Sequence, residues 1–158
     1  MVTPAKFREV MGNFATGVTV VTTRGKDHQP YGLTVNSFTS VSLNPVLVLV
    51  CLDNRLNTLR HFEYSRMFGV SILSENQEDL SRLFASKDSE RPSSLYFEGP
   101  SGQPLLRNAL AYLECETIEI YPGGDHQIFL GQVLAADTLE AKDAAKPLLY
   151  FRGRYHRL

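Results

Sequence analysis

Helical spacing of apolar residues appears only in short stretches of this chain, and strand spacing dominates the rest. Thr3 followed by Pro4 fits an N-cap and first helical position, and Phe7, Val10, Met11 and Phe14 then share one helical face, which predicts a short opening helix. Val18 to Thr23 is rich in Val and Thr; after the polar stretch Arg24 to Pro30, a second short strand is expected from Tyr31 to Val35, the pair forming a hairpin. Val46 to Leu52 has no polar interruption except Cys51 and reads as a strand covered on both faces. Asn57 is placed to cap a helix that turns Leu56, Leu59 and Phe62 inward, and Ser74 with Gln77 matches a capping box ahead of Leu80, Leu83 and Phe84. Lys87 to Gln103, dotted with Gly, Pro and Ser, predicts a mobile loop over a site. Ala111 to Tyr121 and Gln127 to Thr138 form a long hairpin turning at Pro122, Gly123, Gly124 and Asp125. Within it, Glu114 and Glu116 fall on one strand face, expected to be wet. Leu148 to Phe151 makes a last strand before Arg152, Arg154 and Arg157.

Many short strands with few, short helices suit a mainly β fold, a closed antiparallel barrel with helices packed around it, better than an alternating parallel one. At 158 residues a single domain spanning 1–158 is expected. Sixteen Lys and Arg against 17 Asp and Glu leave a net charge of -1, so there is no broad electrostatic footprint for nucleic acid or a membrane surface. Cys51 and Cys115 are far apart and lack a CxxC or His-rich companion, which argues against a metal site and a disulfide framework. With no basic region leading a long apolar run and no span-length segment, a cytoplasmic location is expected. GxGxxG, Walker A and GxSxG motifs are all missing, so a nucleotide ligand has to be argued from other residues.

Three places carry candidate chemistry. Gly32 to Ser42 is dense in small hydrogen-bonding residues, and Thr34, Asn36, Ser37, Ser40 and Ser42 could meet the polar edge of a flavin ring; the same density also reads as an exposed Ser/Thr-rich turn. Cys51, Leu52, Asp53 and Asn54, followed by Asn57 and Thr58, place a strand end before a helix start, where free N–H groups attract phosphate, or where Asn and Thr simply cap. Arg82 and Lys87 could add charge there. His126 sits at a hairpin tip, where it could contact nicotinamide or belong to an Asp-His surface turn; His28, His61 and His156 lack partners at ligand spacing.

Taken in order, Phe14 to Thr23, Gly32 to Ser42, Gly123 to His126 and Leu149 to Tyr155 resemble the short-chain flavin reductase family, the reductase components of two-component flavin monooxygenases. The resemblance spans nearly the whole chain. It implies an FMN-binding split β-barrel, antiparallel and Greek-key-like, forming a homodimer with flavin near the subunit interface. By the same resemblance Thr34, Val35, Asn36 and Ser37 with Ser40, Val41 and Ser42 line the isoalloxazine ring, while Cys51, Leu52, Asp53, Asn54, Asn57 and Thr58 approach the ribityl and phosphate groups. Phe84 and Ala85 close that side, His126 lies near nicotinamide, and Tyr150 and Tyr155 belong to the same pocket or to the dimer contact. The implied activity is hydride transfer from NADH or NADPH to FMN or FAD, with reduced flavin passed to a monooxygenase. A flavin carrier without turnover, and a strand-rich interaction module without cofactor, are the alternatives.

Overall fold

The computed structural model describes residues 1–87, 90–139 and 145–158. The chain runs α1 (Pro4–Met11), β1 (Thr16–Gly17), β2 (Thr19–Arg24), β3 (Pro30–Val35), β4 (Phe38–Leu43), β5 (Val46–Asp53), α2 (Leu59–Ser65), β6 (Met67–Ile72), α3 (Glu78–Ala85), β7 (Tyr96–Glu98), β8 (Pro104–Leu106), β9 (Ala111–Gly123), β10 (His126–Thr138), β11 (Leu149–Phe151) and β12 (Arg154–His156). Seven strands form an antiparallel sheet in the order β3-β2-β6-β9-β10-β5-β4; β1-β11-β12 and β7-β8 make two smaller sheets. The fold is mainly β, as the strand periodicity requires. The large sheet ends on β3 and β4, which are consecutive in the chain, and no ladder joins them among the described residues. The barrel is therefore split rather than closed.

Thr3 caps α1, its Oγ1 accepting from the Lys6 N–H at 3.2 Å. Its apolar stripe nevertheless stays in solvent: Phe7, Val10, Met11 and the following Phe14 are all exposed. The Ser74–Gln77 capping box forms as expected and leads through a short 3-10 turn into α3. Asn57 does not cap α2; Thr58 occupies that position and makes no side-chain cap bond. Leu59 and Phe62 still turn inward.

Three further expectations are corrected. Along β5 burial alternates, with Val48, Val50 and Leu52 in the core and Leu47, Leu49 and Cys51 half-buried, because the described residues cover the second face only in part. Within the segment from Lys87 to Gln103, residues 88 and 89 lie outside the described ones; from Ser93 onward a 3-10 turn and the β7–β8 ladder order the chain. Glu114 is fully buried, whereas Glu116 is exposed. The turn between β7 and β8 folds over Glu114, whose carboxylate accepts from the N–H of Ser101 at 2.9 and 3.0 Å and of Gln103 at 3.0 Å. The last strand also gains a partner not foreseen, β12.

The core divides into one cluster around Phe62, Phe68 and Phe129 and another around Phe84, Tyr96 and Leu148. Burial, with help from Glu114, pushes the Cys115 thiol up to about 12, and burial pushes the Tyr96 phenol up to about 12. Both protons are held more tightly folded than unfolded, so the stability they contribute is complete below about pH 9 and declines as pH rises toward 12. Urea midpoints measured across that range are expected to fall, and Cys115→Val with Tyr96→Phe to flatten the slope. Glu114→Ala, which leaves the N–H groups of Ser101 and of buried Gln103 without their acceptor, is expected to cost about 2 kcal/mol in the same urea titrations at neutral pH.

Candidate active site

The residues expected to act gather in two places, joined by one stitch between strands. The first is a cavity of about 220 Å³ lined by Val18, Thr34, Val35, Asn36, Ala85, Tyr150 and Tyr155. The end of β3, the C-terminal end of α3 and the β11–β12 hairpin meet here. α3 can approach closely because Gly32 has no side chain: a Cβ there would stand 3.0 Å from the Phe84 ring. Thr34 Oγ1 donates to the Ser81 carbonyl at 2.6 Å, and Ser81 Oγ lies 2.7 Å from the Tyr155 hydroxyl. The Tyr150 and Tyr155 rings meet edge to face at 5.4 Å, and the Arg82 guanidinium stacks over Tyr155 while pairing with Glu78 at 2.6 Å. Thr16, paired with Tyr150 across β1 and β11, keeps a buried Oγ1 without a partner.

The second place is a cleft of about 610 Å³ lined by Asn54, Leu59, Glu63, Ile120, Pro122, Gly124, His126 and Gln127. An adjoining cleft adds Leu56, Asn57 and Arg60. The end of β5 holds the hairpin tip: Asp53 stands opposite His126, Asn54 N donates to the Asp125 carbonyl at 3.0 Å, and Asn54 Nδ2 donates to the Gly124 carbonyl at 3.3 Å. His126 Nδ1 lies 2.7 Å from Asp125 Oδ1. Between the two places Ser37 Oγ donates to the Cys51 carbonyl at 2.8 Å, and Cys51 N donates to the Ser37 carbonyl at 3.2 Å.

Several expected contacts are redirected. Leu52 and Phe84 are buried in the two core clusters, where their side chains pack, and neither lines the two clefts. Asp53 is spent on Arg55, whose side chain and backbone N–H donate to it at 2.6 to 3.0 Å and hold its carboxyl well below the usual carboxylate range. Ser40 and Val41 lie exposed on the edge strand β4, where an irregular register between Ser40 and Ser42 leaves Val41 out of the ladder; Ser42 Oγ accepts from Asn44 N at 3.2 Å. None of these three lines either cavity in this chain. Asn57 is exposed, Thr58 half-buried, and burial raises the Cys51 thiol. Val18, Ser81, Glu63 and Gln127 were not foreseen. Helical phase could have found two of them, since Ser81 lies four residues before Ala85 and Glu63 four after Leu59.

Residues 11–158 match the sequence model of a family described as "Flavin reductase like domain". This chain belongs to that family. It is 43% identical over 160 residues to the NADH-dependent FMN reductase AsuE2 of Streptomyces nodosus subsp. asukaensis, covering 97% of this chain and 84% of that one. It is 38% identical over 151 residues to the reductase component of the 4-nitrophenol 4-monooxygenase/4-nitrocatechol 2-monooxygenase of Rhodococcus opacus, covering 96% and 79%. Among solved structures, the NADH:FAD oxidoreductase SgcE6 of Streptomyces globisporus C-1027, in complex with NAD and FAD fragments, superposes with a TM-score of 0.90 at 39% identity, covering 100% of this chain and 96% of that one. The split, antiparallel architecture is thus that of flavin reductases. Among the described residues no helix is long and apolar enough to cross a membrane, and no group of three His, Cys, Asp or Glu is placed to hold a metal ion.

The Ser81–Tyr155 hydrogen bond ties α3 to the β11–β12 hairpin of this flavin reductase. Ser81→Ala and Tyr155→Phe are each expected to lower stability by about 1 kcal/mol, and the double variant by less than their sum, as urea denaturation would show.

Proposed function

We propose that this chain is an NADH-dependent flavin reductase that passes hydride to FMN or FAD and supplies reduced flavin to a separate monooxygenase, working in the cytoplasm as a homodimer. The observation that carries the reading is the attachment of the His126 turn to the end of β5, which sets an imidazole in a cleft beside the residues expected to hold flavin. The relatives named as NADH-dependent reductases of FAD and FMN support the choice of donor and acceptor.

The residues fit a flavin. Val18, Val35, Ala85 and the two tyrosine rings supply apolar lining, Thr34 and Asn36 add polar groups, and among the described residues no cationic side chain lines the cavity. Those features match a ring with one apolar and one polar edge. Thr34 to Ser37 would hold the ring, with Asn54, Asn57 and Thr58 toward the phosphate end. Bound flavin supplies the hydride acceptor for the nicotinamide C4. The chain's own contribution is to hold both rings in register, since the reacting atoms must approach to about 3 to 3.5 Å. No side chain need act as a nucleophile, and burial keeps the Cys51 and Cys115 thiols protonated at neutral pH.

The homodimer is supported by the apolar surface this chain leaves open. Phe7, Val10 and Phe14 around α1, and Val41, Leu43 and Val46 around the β4–β5 turn, are exposed in a single copy. Large apolar side chains left exposed on one helix and one edge turn are the kind of surface that association covers.

Anaerobic mixing of the protein with NADH and FMN or FAD is expected to bleach the flavin rapidly. Retention of flavin without bleaching would instead identify a carrier. His126→Ala is expected to raise the nicotinamide KM or lower kcat by roughly tenfold or more while flavin affinity changes less than about twofold.

A further inference from the structure

Among the described residues, one ring nitrogen of His126 has a hydrogen-bond partner and the other has none. Nδ1 lies 2.7 Å from Asp125 Oδ1, and that contact holds the Asp125 carboxyl below its ordinary range. An ionised carboxylate only accepts hydrogen bonds, so Nδ1 must carry the proton. In the neutral ring the remaining lone pair is then on Nε2.

We infer that Asp125 is a positioning residue that locks His126 as the Nδ1–H tautomer, so that Nε2 meets the nicotinamide as a hydrogen-bond acceptor and takes an N–H of its carboxamide. The inference rests on the reading of His126 as the residue nearest nicotinamide.

Four features support it. The turn has little freedom: Asn54 bonds the carbonyls of both Gly124 and Asp125, and His126 is paired on one side with Gly123 and on the other with Asp53. Gly124 takes φ +71°, a conformation that side chains disfavour, and this bend carries the chain into Asp125. The other acidic groups around the cleft are engaged elsewhere. Asp53 on β5 is bound by Arg55, and Glu63 on α2 accepts from Gln127 Nε2 at 2.9 Å. Gln127 thereby commits an amide N–H to Glu63. An acceptor at Nε2 matters because a nicotinamide carboxamide has two N–H donors and one carbonyl, and fixing which end faces the protein fixes which way the ring lies.

The test compares NADH with reduced 3-acetylpyridine adenine dinucleotide, in which a methyl group replaces the carboxamide NH2. In the unaltered protein NADH is expected to be preferred. In Asp125→Ala the ratio of the two kcat/KM values is expected to fall by roughly tenfold, with flavin affinity unchanged. The analogue's different redox potential cancels in this comparison of ratios. In parallel, ¹⁵N shifts of the His126 ring at alkaline pH are expected to report Nδ1–H in the unaltered protein and a shift toward Nε2–H in Asp125→Ala. An unchanged selectivity ratio or an unchanged tautomer in Asp125→Ala overturns the inference while leaving the reductase reading intact, provided His126→Ala impairs nicotinamide use. If His126→Ala has no effect on nicotinamide use, both fall.

Discussion

The arrangement depends on the antiparallel ladders of β10, unbroken with β5 on one side and shifted in register at two places with β9 on the other. From His126 to Gln132, every residue of β10 faces a partner on β5, so the hairpin tip and the end of β5 cannot move independently. Side chains in a ladder alternate strictly, and a slip of one residue would turn His126 away from the cleft and Phe129 out of the core. Core packing of Phe129 against Phe62 therefore also sets the position of the imidazole. Stability and function share one register.

The same ladder explains why a carboxylate can be buried beside the core without collapse. β9 lies between β6 and β10, and the face bearing Glu114 is roofed by the turn between β7 and β8. Backbone N–H groups from that turn replace the water the carboxylate gives up, and the carboxylate in turn orders a segment that has little apolar content of its own. The roof and the charge depend on each other.

At its margins the sheet is incomplete by design of its connections. β3 and β4 are linked by only Asn36 and Ser37, yet they are opposite edges of one sheet. Both residues crossing that gap were expected to meet flavin, and Ser37 is held by its reciprocal bonds with Cys51.

Local pattern determined much of this protein. The capped α1, the β2–β3 hairpin, the Ser74–Gln77 box and the long β9–β10 hairpin follow from short-range periodicity and capping chemistry, and the ordered run of segments from Phe14 to Tyr155 pointed to the flavin reductase family. Tertiary structure alone decided which side chains were free to act. The side chains of Leu52 and Phe84 pack in the core, and Glu114 looked like a surface charge until the turn between β7 and β8 covered it. Burial and competition for hydrogen bonds arise between segments remote in the chain. A pattern of spacing records what each segment can form, and only the packed fold determines what remains available once every neighbour has been satisfied.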